Sequence, residues 1–112
     1  MIELVNTSGV SLSQRDDTLF VEGDMSIHAA APVAAAGVEW LENAQAPSVT
    51  FDFTGVTSAS SAALSVLFEW LRGCERRALP VERIALSSPL MRLAAFAELE
   101  ALILDPRHAL PH

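Results

Sequence analysis

A β-hairpin pattern followed by two successive strand-linking helix patterns is the feature that most narrows how this chain can fold. Val10-Ser11-Leu12-Ser13-Gln14 alternates apolar and polar side chains, and after Arg15-Asp16-Asp17 the run Thr18-Leu19-Phe20-Val21-Glu22-Gly23 is apolar and partly β-branched. The two runs read as paired strands. Pro32 suits the first turn of a helix, and Val33, Gly37, Trp40, Leu41 and Ala44 recur at helical spacing until residues 43–47; residues 27–31 fit either state. Ser48-Val49-Thr50-Phe51-Asp52-Phe53, bounded by Pro47 and Gly55, has the make-up of a central strand buried against helices. Ala63, Leu64, Leu67, Trp70, Leu71, Cys74 and Ala78 then share one helical face, opposite Ser65, Glu69, Arg72, Glu75 and Arg76. Leu79-Pro80 breaks that helix, residues 81–86 supply another strand, and Ser87-Ser88-Pro89 opens a last helix marked by Leu90, Leu93, Ala94 and Ala97.

Strands joined through a helix need a crossover and therefore lie parallel, whereas the opening hairpin is antiparallel. The expected fold is one small α/β domain with a mixed β-sheet of about four to five strands and about three to four helices packed on it. A doubly wound nucleotide fold is disfavoured, because it starts with a strand running straight into a glycine-rich turn. The 112 residues suffice for one core, expected over residues 10–104. Leu102-Ile103-Leu104 fits a short terminal strand or an apolar latch, and residues 105–112, with two prolines, fit a frayed tail.

The formal net charge of −7 repels phosphate backbones and anionic lipid, which argues against a nucleic-acid partner. A charge of this size serves solubility as readily as it attracts a basic partner. No stretch reaches the length of about 18 apolar residues needed to span a membrane. The N-terminus Met1-Ile2-Glu3-Leu4 lacks a basic leader, so the expected location is cytoplasmic, with any membrane association made through a partner. The single cysteine, Cys74, lies on an apolar helical position and reads as a small core residue in a reducing compartment.

Enzymatic chemistry is hard to assemble from these residues. The glycines, at positions 9, 23, 37, 55 and 73, form no phosphate-binding loop. His28, His108 and His112 have no metal-ligand spacing, and no serine sits in a nucleophile elbow. Asp16 and Asp17 read as a solvated hairpin tip rather than an acid–base pair. No cofactor or metal is expected. Trp40 and Trp70 read as core anchors; Arg72, Arg76 and Arg77 fit either a surface complementing acidic groups of a partner or, the preferred reading, a solvated face pairing with Glu69 and Glu75.

The remaining feature is Phe51-Asp52-Phe53-Thr54-Gly55-Val56-Thr57-Ser58-Ala59-Ser60-Ser61-Ala62-Ala63-Leu64, a strand delivering hydroxyl groups to the start of an amphipathic helix. A helix N-terminus carries unpaired N–H groups and the positive end of the macrodipole. A serine there is either a cap worth about 1 kcal/mol or, once phosphorylated, a charged switch for a partner.

This stretch resembles the signature of the STAS domain family, named for sulfate transporters and anti-sigma factor antagonists. In that signature a strand ending in Asp-hydrophobic-Ser/Thr-Gly-Val leads to a loop Asp-Ser/Thr-Ser/Ala-Gly-Leu. Gly23-Asp24-Met25 is similar to the family's Gly-Glu-Leu, and the resemblance runs from Val10 to Ile103. It places Ser61 at the hydroxyl that members phosphorylate or use at a partner interface. Ser60 stands in place of the aspartate and Ala63 in place of the glycine, departures that weigh against a kinase-driven switch. The chain looks most similar to the MlaB-like branch, which implies a non-enzymatic subunit binding the ATPase of a bacterial phospholipid-transport ABC complex. The alternative that the family implies is an anti-sigma factor antagonist, bound by an anti-sigma factor kinase and released on phosphorylation at Ser61. The contact face expected under either reading comprises Thr54, Thr57, Ser58, Ser60 and Ser61, with Ser65, Glu69 and Arg72 on the helix. Two rival readings are an enzyme using the same serines as nucleophiles, and a weak homodimer joined through residues 99–104.

Overall fold

The computed structural model describes residues 1–96. In chain order these form β1 (Ile2–Thr7), β2 (Val10–Arg15), β3 (Thr18–Gly23), α1 (Ile27–Asn43), β4 (Val49–Val56), α2 (Ser61–Arg76), β5 (Val81–Leu86) and α3 (Ser88–Phe96). The strands lie side by side in sequence order as one five-stranded sheet. β1, β2 and β3 pair antiparallel; β3, β4 and β5 pair parallel. The mixed sheet with its opening hairpin matches the expected fold.

α1 and α2 each carry the chain one strand further in the same direction, and right-handed crossovers then put both on one face of the sheet. There they pack against each other, and α3 packs beside α2 over β4 and β5. Alternate residues of the strands, including Val10, Leu12, Leu19, Val21, Phe51 and Phe53, are buried beneath them. The intervening residues, among them Ser11, Ser13, Phe20, Thr50 and Asp52, are only half-buried.

Trp70 of α2 is the centre of this core. Its ring lies 5.3 Å from that of Phe51 and 5.5 Å from that of Phe53, and its Nε1 donates to the Ala34 carbonyl of α1 at 3.2 Å. α1 crosses it at Gly37, where a Cβ would fall 2.2 Å from the indole. Trp40, by contrast, is only half-buried at the edge of the core.

Four boundaries differ from the sequence expectation. β1 extends the hairpin into a three-stranded meander, turning through Ser8 and Gly9 at positive φ. Its register against β2 shifts between Glu3 and Val5, and none of its residues is buried, so no clean two-residue period marks it. α1 begins at Ile27 rather than near Pro32. Ser26 is its cap, with Oγ accepting from the Ala29 N–H at 3.3 Å, and Pro32 lies inside the helix, forgoing one backbone hydrogen bond. β4 runs on to Val56 instead of ending at Phe53. α2 stops at Arg76, so Ala78 is exposed with φ 53° and does not join the apolar face.

At the start of α3 the capping oxygen belongs to Ser87, which accepts from the Leu90 N–H. The terminal strand or latch at residues 102–104, the tail at 105–112 and the dimer seam at 99–104 lie outside the described residues.

Candidate functional site

The extension of β4 depends on a bulge. Phe20 of β3 pairs with Asp52, yet Glu22 pairs with Gly55, so β4 carries one more residue than its neighbour across this stretch. The extra residue shifts the phase, which is why burial passes from Phe51 and Phe53 to Val56. Thr54 loses its place in the ladder, and Asp52 compensates. Its Oδ1 accepts from the Thr54 N–H at 2.9 Å and from the Thr54 hydroxyl at 2.6 Å. Thr54 is therefore part of a strand and tied back to it, not part of the hydroxyl turn.

Beyond the strands, the loops at residues 24–26 and 57–60 stay zipped together. The Thr57 N–H donates to the Gly23 carbonyl at 3.0 Å, the Ser58 hydroxyl to Asp24 Oδ1 at 2.7 Å, and the Ser60 hydroxyl to the Met25 carbonyl at 2.8 Å. Gly23 is required at the base of this pair: its φ is 110°, and a Cβ would fall 2.1 Å from the Gly9 carbonyl oxygen. Ser60 also caps α2, its Oγ accepting from the Ala63 N–H at 3.1 Å. One serine thus fastens the N-terminus of α2 to the entrance of α1.

These bonds divide the expected site residues. The hydroxyls of Thr54, Ser58 and Ser60 are engaged as described, and Ser65 Oγ donates to the Ser61 carbonyl at 3.0 Å. The hydroxyls of Thr57 and Ser61 have no partner among the described residues, and both residues are exposed. Ser61 occupies the first position of α2. Ser65, Glu69 and Arg72 follow it at helical spacing, all exposed, as one stripe along the helix. Among the arginines, Arg77 pairs with Glu42 of α1 at 3.1 Å, a solvent-exposed bridge worth at most about 1 kcal/mol.

One residue of this end was missed in the sequence. Ile27, the first residue of α1, is 78% exposed, and the Ser60–Met25 bond holds it at the same end of the helix pair as Ser61. A helical wheel would not have singled it out, because Ile27 lies seven and fourteen residues before the buried Ala34 and Leu41; it is exposed as the first residue of the helix. Residues 25–38 and 53–68 contain no Asp, Glu, Lys or Arg. The N-terminal halves of both helices therefore present an uncharged surface of Ile27, Ala31, Pro32, Ala35, Ser61 and Ser65. Depletion of charge is the compositional mark of an interface core.

Burial pushes the Cys74 thiol up to about 11, which leaves it protonated at neutral pH. No group of three or more His, Cys, Asp or Glu side chains is placed to hold a metal ion. No described helix is long and apolar enough to cross a membrane.

The chain has no match among curated proteins. Residues 8–105 match a family model described as "Mlab, STAS domain", a span that takes in β2 to β5, α1 to α3 and the loop leading to Ser61. The chain belongs to the STAS domain family, and within it is similar to MlaB.

Proposed function

We propose that the protein is a non-enzymatic regulatory and assembly subunit that binds the ATPase subunit of a bacterial phospholipid (Mla-type) ABC transporter. It works in the cytoplasm, reaches the inner membrane through that partner, and needs no cofactor. The observation that carries this reading is the Ser61 hydroxyl, exposed at the positively polarised end of α2 with no partner among the described residues, while its neighbours Ser58 and Ser60 are bound within the fold. The uncharged surface around it and the similarity to MlaB support the same assignment.

In this reading Ser61 and Thr57 offer hydrogen bonds at the rim, the exposed Ile27 supplies an apolar anchor that the partner covers, and Glu69 and Arg72 set the orientation of the partner. Binding shifts the ATPase towards an assembled, active form by as much as the domain prefers that form. Co-expression with the cognate ATPase tests it. The two proteins should co-purify, and Ser61→Arg should release the complex while leaving the domain folded. Co-purification undiminished by Ser61→Arg would refute this contact.

A second reading is an anti-sigma factor antagonist, favoured by the accessibility of Ser61 to a kinase. It requires phosphate transfer to Ser61 by an anti-sigma factor kinase and loss of the complex afterwards. Serine at position 60 and alanine at position 63 weigh against it.

A further inference from the structure

His28 is the one ionisable side chain in the uncharged surface at the start of α1 and α2. Residues 25–38 and 53–68 contain no Asp, Glu, Lys or Arg, and no Cys or Tyr stands among them either. His28 lies three, four and seven residues before Ala31, Pro32 and Ala35, so the four side chains line one face of α1, and all four residues are exposed. Ile27 adjoins them at the first position of the helix.

Charged groups stand away from this face. His28 makes no ion pair among the described residues. Asp24, four residues before it, is engaged by the Ser58 hydroxyl. On α1 the next charges are Glu39 and Glu42, and on α2 the first is Glu69. β1 and β2, the strands packed against α1, carry Glu3 and Arg15. Both lie at the far end of the sheet, because Thr7 pairs with Val10, and Val10 with the Gly23 that leads towards α1. Glu22 of β3 follows the buried Val21, so it points to the other face of the sheet, where it lies over Gly55.

We propose that His28 makes docking of the ATPase subunit depend on pH: an uncharged, apolar patch of that subunit covers the neutral imidazole and excludes the imidazolium. The inference rests on the ATPase-binding reading above and adds to it the chemistry of the partner's surface and a proton. Histidine is the side chain whose charge ordinarily changes between about pH 5 and 8. A charge taken out of water without a partner group is costly, and Ile27, Ala31, Pro32 and Ala35 offer an imidazolium none. The same four residues give a partner apolar contact and no ionic one, which selects an uncharged patch. Docking therefore expels the proton from His28 to solvent, and affinity falls as pH falls. A carboxylate in the partner's patch would reverse the sign.

Calorimetric titration of the purified ATPase subunit at pH 8 and pH 6 tests this, using wild-type protein, His28→Gln and His28→Lys, each first checked for a cooperative thermal melt at both pH values. Wild-type affinity should be lower at pH 6, the loss approaching about tenfold where only about a tenth of His28 remains neutral. Repeating the pH 6 titration in two buffers of different ionisation enthalpy should reveal protons released on binding. His28→Gln should abolish that release and most of the pH dependence, and His28→Lys should bind weakly at both pH values. If a variant fails to fold, the wild-type proton release carries the test. Wild-type binding equally tight at both pH values without proton release, or a pH dependence unchanged in His28→Gln, overturns the proposal and leaves the ATPase contact standing. Tighter wild-type binding at pH 6 that His28→Gln abolishes also overturns it, in favour of an acidic partner patch. No wild-type binding at pH 8 overturns the ATPase reading together with it.

Discussion

The Ser60 hydroxyl donates to the Met25 carbonyl at 2.8 Å while accepting from the Ala63 N–H at 3.1 Å, so a single side chain joins the N-termini of two parallel helices. Its neighbour Ser61 shares the same chemistry but has no bond through its hydroxyl among the described residues. Ser60→Ala should therefore cost about 1–2 kcal/mol, combining a lost cap with a stranded carbonyl. Ser61→Ala should change stability by less than about 0.5 kcal/mol, as for an ordinary surface substitution. Urea unfolding followed by tryptophan fluorescence measures both, and equal losses would contradict the division of roles.

Gly37 is required by Trp70. A methyl group at position 37 would fall 2.2–2.4 Å from three indole atoms, and Trp70 is pinned by Ala34 and two phenylalanine rings. Gly37→Ala should destabilise the domain by about 1–3 kcal/mol or more, despite the better helix propensity of alanine. A higher melting temperature for Gly37→Ala would contradict the packing described.

Ala78 works in the opposite sense. It follows the Arg77 cap at φ 53°, with its N–H donating to the Glu75 carbonyl at 3.1 Å and the Leu79 N–H donating to the Cys74 carbonyl at 2.9 Å. This is the Schellman arrangement, in which glycine is the usual residue. Ala78→Gly should stabilise the domain by about 0.5–1 kcal/mol, since relief of a left-handed alanine outweighs the entropy that glycine adds to the unfolded chain. Thermal denaturation measures the gain.

Cys74 carries a pH signature. Burial raises its thiol to about 11 from the ordinary 9.0, so the folded state holds its proton over a range in which the unfolded state loses it. The contribution of this group to stability is complete below pH 9 and declines as pH rises towards 11. Thiol-directed alkylation at pH 8 should be slow in native protein and fast in urea, and Cys74→Ala should flatten the alkaline loss of stability. Rapid native labelling would contradict the burial of the thiol.

Much of the fold was legible because the period of burial matched the pattern of residues. The hairpin of β2 and β3 and the apolar face of α2 follow from clean two-residue or helical spacing, whereas β5, buried at Val81 and Ile84, was marked by the Leu79-Pro80 break before it and the serines after it. The misplaced boundaries share a cause: local chemistry that breaks the period. A register shift hides β1, the Asp52–Thr54 bulge disguises the end of β4, and Pro32 masks the five helical residues before it. The candidate site divides in the same way. Hydroxyl groups at the start of α2 were evident, but adjacent serines look alike in sequence, and only three-dimensional partners separate the cap Ser60 from the exposed Ser61. Ile27 escaped notice because residues 27–31 fit either state, and its exposure depends on where α1 begins.

The central claim is that a partner ATPase docks on the shared N-terminal end of α1 and α2, at Ser61 and Ile27. Amide hydrogen exchange of the protein, alone and in complex with the ATPase subunit, tests this most directly. The account predicts slowed exchange in the complex for residues 26–30 and 57–66. Protection confined to β1 and the half-buried face of the sheet, with those two segments exchanging as in the free protein, would contradict it.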